Sequence, residues 1–344
     1  MKAACIRAHG DASVIAIEEI DSPAPGPGEV LVAVRSAALN HLDIWVRKGG
    51  RIRLDFPHVL GSDAAGVVQE VGDAVDGIAA GQEVVINPGL CCGHCEFCRA
   101  GQQSLCVDFG LVGMARDGTF AEAVTVPARC VAPKPEHLDF HQAAALTLAH
   151  LTAWRMLMTR ADLRPGQTVL IHGIGGGVAL AGLQIAKFSG AWVAVTSSAS
   201  EKLDSARSHG ADACINYTET PDVASAVRDL TDGRGVDVVL DAVGAATVPV
   251  GIDAVRRGGT IVNCGVTTGA EATISLQKLY WNQVRLIGST MGSDEDFRQM
   301  LAAVAANRLV PVIDSTYPLT DVVAATERME AGRQMGKIVL QISG

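Results

Sequence analysis

Residues 168–193 read TVLIHGIGGGVALAGLQIAKFSGAWV. An apolar run ends at His172, a glycine cluster follows at Gly173, Gly175, Gly176 and Gly177, and a helical stretch with small residues comes next. Glycine lets the backbone approach a pyrophosphate, whose charge is held by amide N–H groups at the positive end of a helix. Read as G-x-G-x-x-G the pattern is incomplete, because Val178 or Ala179 stands where the last glycine belongs. The rhythm that follows is what decides the fold. AWVAVTS from 191, ADACINY from 211, GVDVVLDAVG from 235, GTIVNCG from 259 and VRLIGST from 284 are apolar runs separated by helical sequence. Runs without alternation suit strands covered on both faces, and the helices between them supply right-handed crossovers. The stretch therefore predicts an α/β, doubly wound parallel sheet of six strands with a dinucleotide site at its glycine turn.

Which dinucleotide depends on the end of the second strand, where a carboxylate would bind the ribose hydroxyls of NAD. Here the chain reads Thr196-Ser197-Ser198-Ala199-Ser200-Glu201-Lys202. Hydroxyls occupy the expected acidic position, and Lys202 lies one helical turn further on. Small hydroxyls and a lysine favour the 2′-phosphate of NADP(H). Ser198 or Ser200 capping a helix, with Lys202 solvated, is compatible with the same residues.

Working outward, the texture before this region is different. EVLVAVRSAAL at 29–39, GVVQEVG at 66–72 and QEVVINPG at 82–89 are short strand signals, punctuated by clusters such as SPAPGPG at 22–28. This is a small, mostly β domain. After Met291 a helix, a strand, a second helix and a last strand, KIVLQI, follow an already complete nucleotide fold, so the chain is expected to return to the first domain. The predicted organisation is 1–129 with 292–344 as one domain and 130–291 as the other.

The 344 residues carry 28 basic against 37 acidic groups, a formal charge of -9, with 48% hydrophobic residues. The basic residues are scattered, so the broad positive field that a phosphate backbone requires is missing and no nucleic-acid partner is expected. The opening MKAACIRAHGDASV lacks the apolar core of a secretion signal, and later apolar runs are broken well short of a membrane span. A soluble, cytoplasmic protein without a membrane partner is expected. Of nine cysteines, five fall between Cys91 and Cys106. Cys92, Cys95, Cys98 and Cys106 form C-x2-C-x2-C-x7-C, four soft ligands able to close a tetrahedron around one structural zinc. Cys91 and His94 are expected to point away, and Cys5, Cys130, Cys214 and Cys264 to be small core residues.

With PGPGEVLV, NHLD at 40–43, VLGSDAAGVVQEVG at 59–72, the four-cysteine lobe at 91–106, AALTLAHLTAW at 144–154, the glycine turn and GKIVL at 336–340, the chain resembles the medium-chain dehydrogenase/reductase superfamily. That group holds zinc alcohol dehydrogenases and quinone oxidoreductases. The resemblance implies a GroES-like first domain, a Rossmann second domain, an active site in the cleft between them, and a homodimer or homotetramer joined through the last sheet strand near Arg285–Thr290. It also implies departures. Where zinc alcohol dehydrogenases hold a catalytic metal with Cys, His and Cys, this chain carries Asn40, Ser62 and Leu148, and Leu42 replaces the hydroxyl that passes on the alcohol proton. Asparagine at the first place is the pattern of quinone and enone reductases. The catalytic positions are thus Asn40, Asp43 and Ser62, with the Asn40 amide either a donor to the substrate carbonyl or the holder of a turn. Asp43 and Asp63 keep the acids of their motifs.

By the same resemblance Thr152, Tyr217, Cys264 and Val266 border the cofactor, and Lys337 either reaches the cofactor or forms a surface salt bridge. His41, Asp43, Asp63 and His150 are an alternative, displaced metal set, and His41, His150 or water is the proton donor. The expected function is NADPH-dependent hydride transfer to small-molecule quinones or α,β-unsaturated carbonyl compounds without a catalytic metal. A zinc alcohol dehydrogenase with unusual ligands and a non-catalytic NADPH-binding protein are the alternatives. Stretches 45–58 and 265–283, the second with Tyr280 and Trp281, are expected to form substrate walls or a subunit contact.

Overall fold

The computed structural model describes residues 1–50 and 52–343; Arg51, inside the expected 45–58 wall, lies outside them. The chain divides into two compact units, 1–148 with 293–344, and 149–292. The division falls about twenty residues later than expected at 129/130. The reason is strand pairing: Val131–Pro133 adds antiparallel to Glu83–Ile86 in the sheet of the first unit, so the chain leaves that unit only within helix Phe140–Trp154.

In the first unit the main sheet runs in the order Val131–Pro133, Glu83–Ile86, Asp63–Val71, Glu29–Ala38, Lys337–Gln341, Ile313–Pro318, with Ala123–Pro127 also paired to Glu29–Ala38. Alternating branched residues such as Val30, Val32, Val34, Val84, Ile86, Ile338 and Leu340 turn into one core with Leu60 and Phe120. The last strand returns antiparallel onto Glu29–Ala38, with Val339 opposite Ala38.

The second unit holds six parallel strands in the order Ala213–Asn216, Trp192–Ser197, Thr168–Ile171, Val236–Asp241, Val255–Asn263, Arg285–Gly288. In chain order this is 3-2-1-4-5-6, the doubly wound arrangement predicted from the rhythm of the sequence. The central strands are buried on both faces; Val169, Leu170, Ile171, Val239 and Leu240 are inaccessible. The terminal strand Arg285–Gly288 pairs on one side, with Val255–Asn263, and Leu286 on it is exposed. Among the described residues no helix is long and apolar enough to cross a membrane.

Candidate functional site

In the first unit, strand register brings together three residues distant in sequence. Ala38 lies opposite Asp63 on one side and Val339 on the other, so Asn40, Asp63 and Lys337 meet just beyond the end of one strand. Lys337 Nζ is 2.9 Å from Asp63 Oδ2, 2.6 Å from Asn40 Oδ1 and 2.7 Å from the Leu39 carbonyl. Asn40 Nδ2 donates to Asp63 Oδ2 at 3.0 Å and to the Ala38 carbonyl at 3.4 Å. Asp63 Oδ1 accepts from Thr147 Oγ1 at 2.6 Å and from the Leu148 amide at 2.7 Å. Asp63 is inaccessible and Lys337 4% exposed. Burying two ions costs several kcal/mol each unless every lone pair and proton finds a partner; here the partners are supplied.

This network corrects two expectations. Lys337 neither reaches a cofactor nor makes a surface salt bridge, because its three N–H donors are spent on buried oxygens. Asn40 is not an amide free for a substrate carbonyl: its oxygen and one N–H serve the ion pair, and its other N–H goes to the Ala38 carbonyl. Ser62 changes role as well. It is inaccessible and its hydroxyl donates to the Val112 carbonyl at 2.7 Å, so it ties a loop rather than touching a substrate. Thr147 went unnoticed in the sequence, where a threonine in an Ala/Leu-rich helical stretch carries no polar signal; only its proximity to Asp63 reveals it.

Asp43, at the third position of helix His41–Lys48, closes a capping box: Oδ2 accepts the Asn40 amide at 2.7 Å. Its Oδ1 is buried without a hydrogen-bond partner. Burial pushes its carboxyl up to about 7, against the pull of the Asn40 amide and the Lys337 charge. The folded state therefore holds a proton that the unfolded chain, with a carboxyl near 3.8, releases earlier. Stability from this group is present at low pH and is lost as pH rises between about 4 and 7. In Asp43→Asn this loss is expected to vanish, so that melting temperature falls less from pH 5 to pH 8 than in the native protein; parallel pH profiles would refute it. His41 beside Asp43 is held below its ordinary pKa by burial and by Lys337, so its imidazole is neutral at pH 7.

In the second unit the predicted cofactor residues gather at the carboxyl ends of the parallel strands, where nucleotides bind in such sheets. The turn after Thr168–Ile171 needs positive φ at Gly173 (68°) and Gly175 (136°), a region that side chains with a Cβ resist. Gly176 caps helix Gly177–Phe188, whose first N–H groups, including those of Gly177 and Val178, lack acceptors within the helix. A Cβ built on Gly175 would lie 3.2 Å from Lys202 Nζ, which puts the ammonium over the glycine turn. Ser197 ends the second strand and accepts the Ala199 amide at 3.1 Å, and Ser198 beside it is exposed. Tyr217 and Val266 are half exposed just past their strands, and Cys264 follows Val255–Asn263. The donor set fits the pyrophosphate of a dinucleotide. Thr152 is buried, its hydroxyl 3.6 Å from Met291 Sδ. His150 faces Gln184 at 3.1 Å.

In the cysteine lobe the ligand atoms of Cys92, Cys95, Cys98 and Cys106 all lie within 4.8 Å of one another, with Cys106 to Cys92 at 3.5 Å and Cys92 to Cys98 at 4.0 Å. A zinc tetrahedron with bonds of about 2.3 Å has edges of about 3.8 Å. The Cys92 and Cys95 amides donate to Cys106 Sγ and Cys92 Sγ, and the Cys98 amide pulls the Cys95 thiol down to about 6, favouring the thiolate that metals need. His94 is exposed, its ring turned to the Cys92 carbonyl. Among the described residues this is the one grouping of metal-ligand type; Asp63 of the displaced set is spent on Lys337 and Thr147. At the three positions where the resemblance implies a catalytic metal, Asn40 and Ser62 are committed to internal partners and Leu148 has an apolar side chain, so those residues do not fit a zinc ion.

A family model described as "Alcohol dehydrogenase GroES-like domain" matches residues 26–136, and one described as "Zinc-binding dehydrogenase" matches 177–306. A zinc-type alcohol dehydrogenase-like protein of Schizosaccharomyces pombe is 34% identical over 94% of this chain and 94% of its own. A crotonyl-CoA carboxylase/reductase of Cereibacter sphaeroides is 32% identical over 93% of this chain and 82% of its own. Among solved structures, a NAD-dependent alcohol dehydrogenase superposes with a TM-score of 0.95 at 43% identity, covering 100% of both chains.

Proposed function

Because the chain belongs to the medium-chain dehydrogenase/reductase superfamily, we propose that it is an NADPH-dependent reductase of quinones or α,β-unsaturated carbonyl compounds. The observation that carries this reading is the occupation of the three metal-ligand positions by Asn40, Ser62 and Leu148, of which two are spent and one is apolar. An alcohol needs a Lewis acid at its oxygen, whereas a quinone or enone is already electron-poor and needs only positioning and a hydrogen-bond donor. Bound at the glycine turn, the nicotinamide supplies the hydride. The neutral His41 imidazole, with no hydrogen-bond partner among the described residues, is our candidate donor to the substrate oxygen. The Asn40–Asp63–Lys337 network acts as the rigid floor that orients helix His41–Lys48. The four-cysteine lobe is read as holding one structural zinc. The decisive experiment follows NADPH oxidation with an enone and a quinone, against NADP+ or NAD+ reduction by simple alcohols. Turnover confined to the alcohols would sink the reading.

What favours NADPH is Lys202 above Gly175 together with hydroxyls in place of a carboxylate at 197 and 198. In Lys202→Ala the Kd of NADPH is expected to rise about 10- to 100-fold, while that of NADH changes less than 3-fold; loss of one charge-assisted phosphate contact sets that scale. Equal losses would show that the lysine does not read the 2′-phosphate.

We also read the one-sided strand Arg285–Gly288, with exposed Leu276, Tyr280, Trp281 and Leu286 around it, as the contact with a second copy of this chain. Trp281→Glu with Leu286→Lys is expected to shift sedimentation from dimer or tetramer to monomer. An unchanged profile would reject this face.

A further inference from the structure

At the end of the parallel sheet opposite the glycine turn lies a cavity of about 620 Å³ lined by Arg228, Gly233, Arg234, Arg256, Arg257 and Asn282. Its residues stand where strands begin: Arg234 just ahead of Val236–Asp241, Arg256 and Arg257 in the irregular start of Val255–Asn263, and Asn282 before Arg285–Gly288. Such a concentration of guanidiniums is unexpected in a chain of net charge -9.

These guanidiniums find few carboxylate partners. Arg234 forks onto Asp237, with contacts of 2.7 and 3.1 Å, and Arg256 Nε meets the same carboxylate at 2.5 Å. Arg228 is held by three carbonyls, of Asp253, Gly233 and Val255, at 2.9, 3.2 and 3.3 Å, and by no carboxylate. The nearby Asp253 carboxylate is taken by Lys278 at 2.5 Å. Arg257 is exposed and pairs with no acid among the described residues. Four guanidiniums thus contact one carboxylate between them, and the exposed Asp229 and Asp232, between Arg228 and Arg234 in the chain, pair with none of them.

Two features turn this from a solvated basic face into a site. Arg228, Arg234 and Arg256 are anchored by their own hydrogen bonds, so little side-chain entropy remains to be lost when an anion binds. The planar fork of the Arg257 guanidinium, which no acid among the described residues occupies, also matches the paired oxygens of a phosphate. We propose that this cavity binds a small phosphate-bearing polyanion, separately from the dinucleotide at the other end of the sheet.

Inorganic pyrophosphate is the probe, titrated calorimetrically into protein saturated with NADPH, which occupies the competing glycine turn. A single site with submillimolar Kd, weakening as salt is raised, is expected. Adding Arg257→Glu should raise that Kd at least tenfold, and Arg257→Gln should do so less. The Arg257 side chain holds no partner among the described residues, so both variants should keep the parent's melting temperature, which circular dichroism checks. No binding to the NADPH-saturated protein, or equal binding with and without Arg257→Glu, overturns the proposal.

Discussion

Replacing Lys337 with methionine is expected to lower stability by about 3–5 kcal/mol, the cost of leaving a buried carboxylate without its counter-charge. Asp63 would keep the Thr147 hydroxyl and Leu148 amide on one oxygen but lose the ammonium on the other, and Asn40 Oδ1 would lose its donor. Melting temperature should fall by about 6–20 °C in a unit of this size. The double variant Asp63→Asn with Lys337→Met removes both charges, and is expected to be more stable than Lys337→Met alone. A single-variant loss below about 1 kcal/mol, or a double variant worse than the sum of the singles, would show that the pair does not hold these strands together. Because the three Lys337 donors are all spent on Leu39, Asn40 and Asp63, NADPH affinity measured below the melting transition should stay within 3-fold of the parent.

The second large effect concerns the cysteine lobe. The native protein is expected to carry one zinc per chain by elemental analysis, and Cys95→Ser to carry almost none. A closed thiolate site derives its affinity from four bonds, and in zinc-finger peptides the apparent binding energy is about 10–16 kcal/mol. That energy is folding energy for a lobe with little apolar core of its own: of the four cysteines Cys98 and Cys106 are buried, whereas Leu105 and Val107 are exposed. Soluble yield should drop and protease should cut within 91–106, while the preference between NADPH and NADH stays as it was. Zinc content unchanged in Cys95→Ser would refute the ligand assignment.

How much of this was legible beforehand differs between the two halves. The parallel sheet was, because a strand buried on both faces writes its state into a continuous run of residues such as Val236–Asp241, and its glycine turn into a local cluster. The thiol cluster was legible too, since C-x2-C-x2-C-x7-C places its donors through short-range geometry. The boundary near 148 was not: the three-residue strand Val131–Pro133 is too short to carry a period, and its allegiance is decided by the distant Glu83–Ile86.

The same division holds at the candidate site. Sequence alone determined which chemical groups stand at each motif position: an amide at 40, a hydroxyl at 62, a methyl-bearing side chain at 148, hydroxyls and a lysine after the second parallel strand. It determined local periodicity, hence the sheet and the metal lobe. Only tertiary structure decided what those groups are free to do. Lys337 lies 274 residues from Asp63, and their meeting depends on two strands flanking Ala38 in register, a cooperative outcome of pairing and core packing that no local pattern encodes. Once that register forms, the cost of burying charge obliges Asn40 to serve the ion pair.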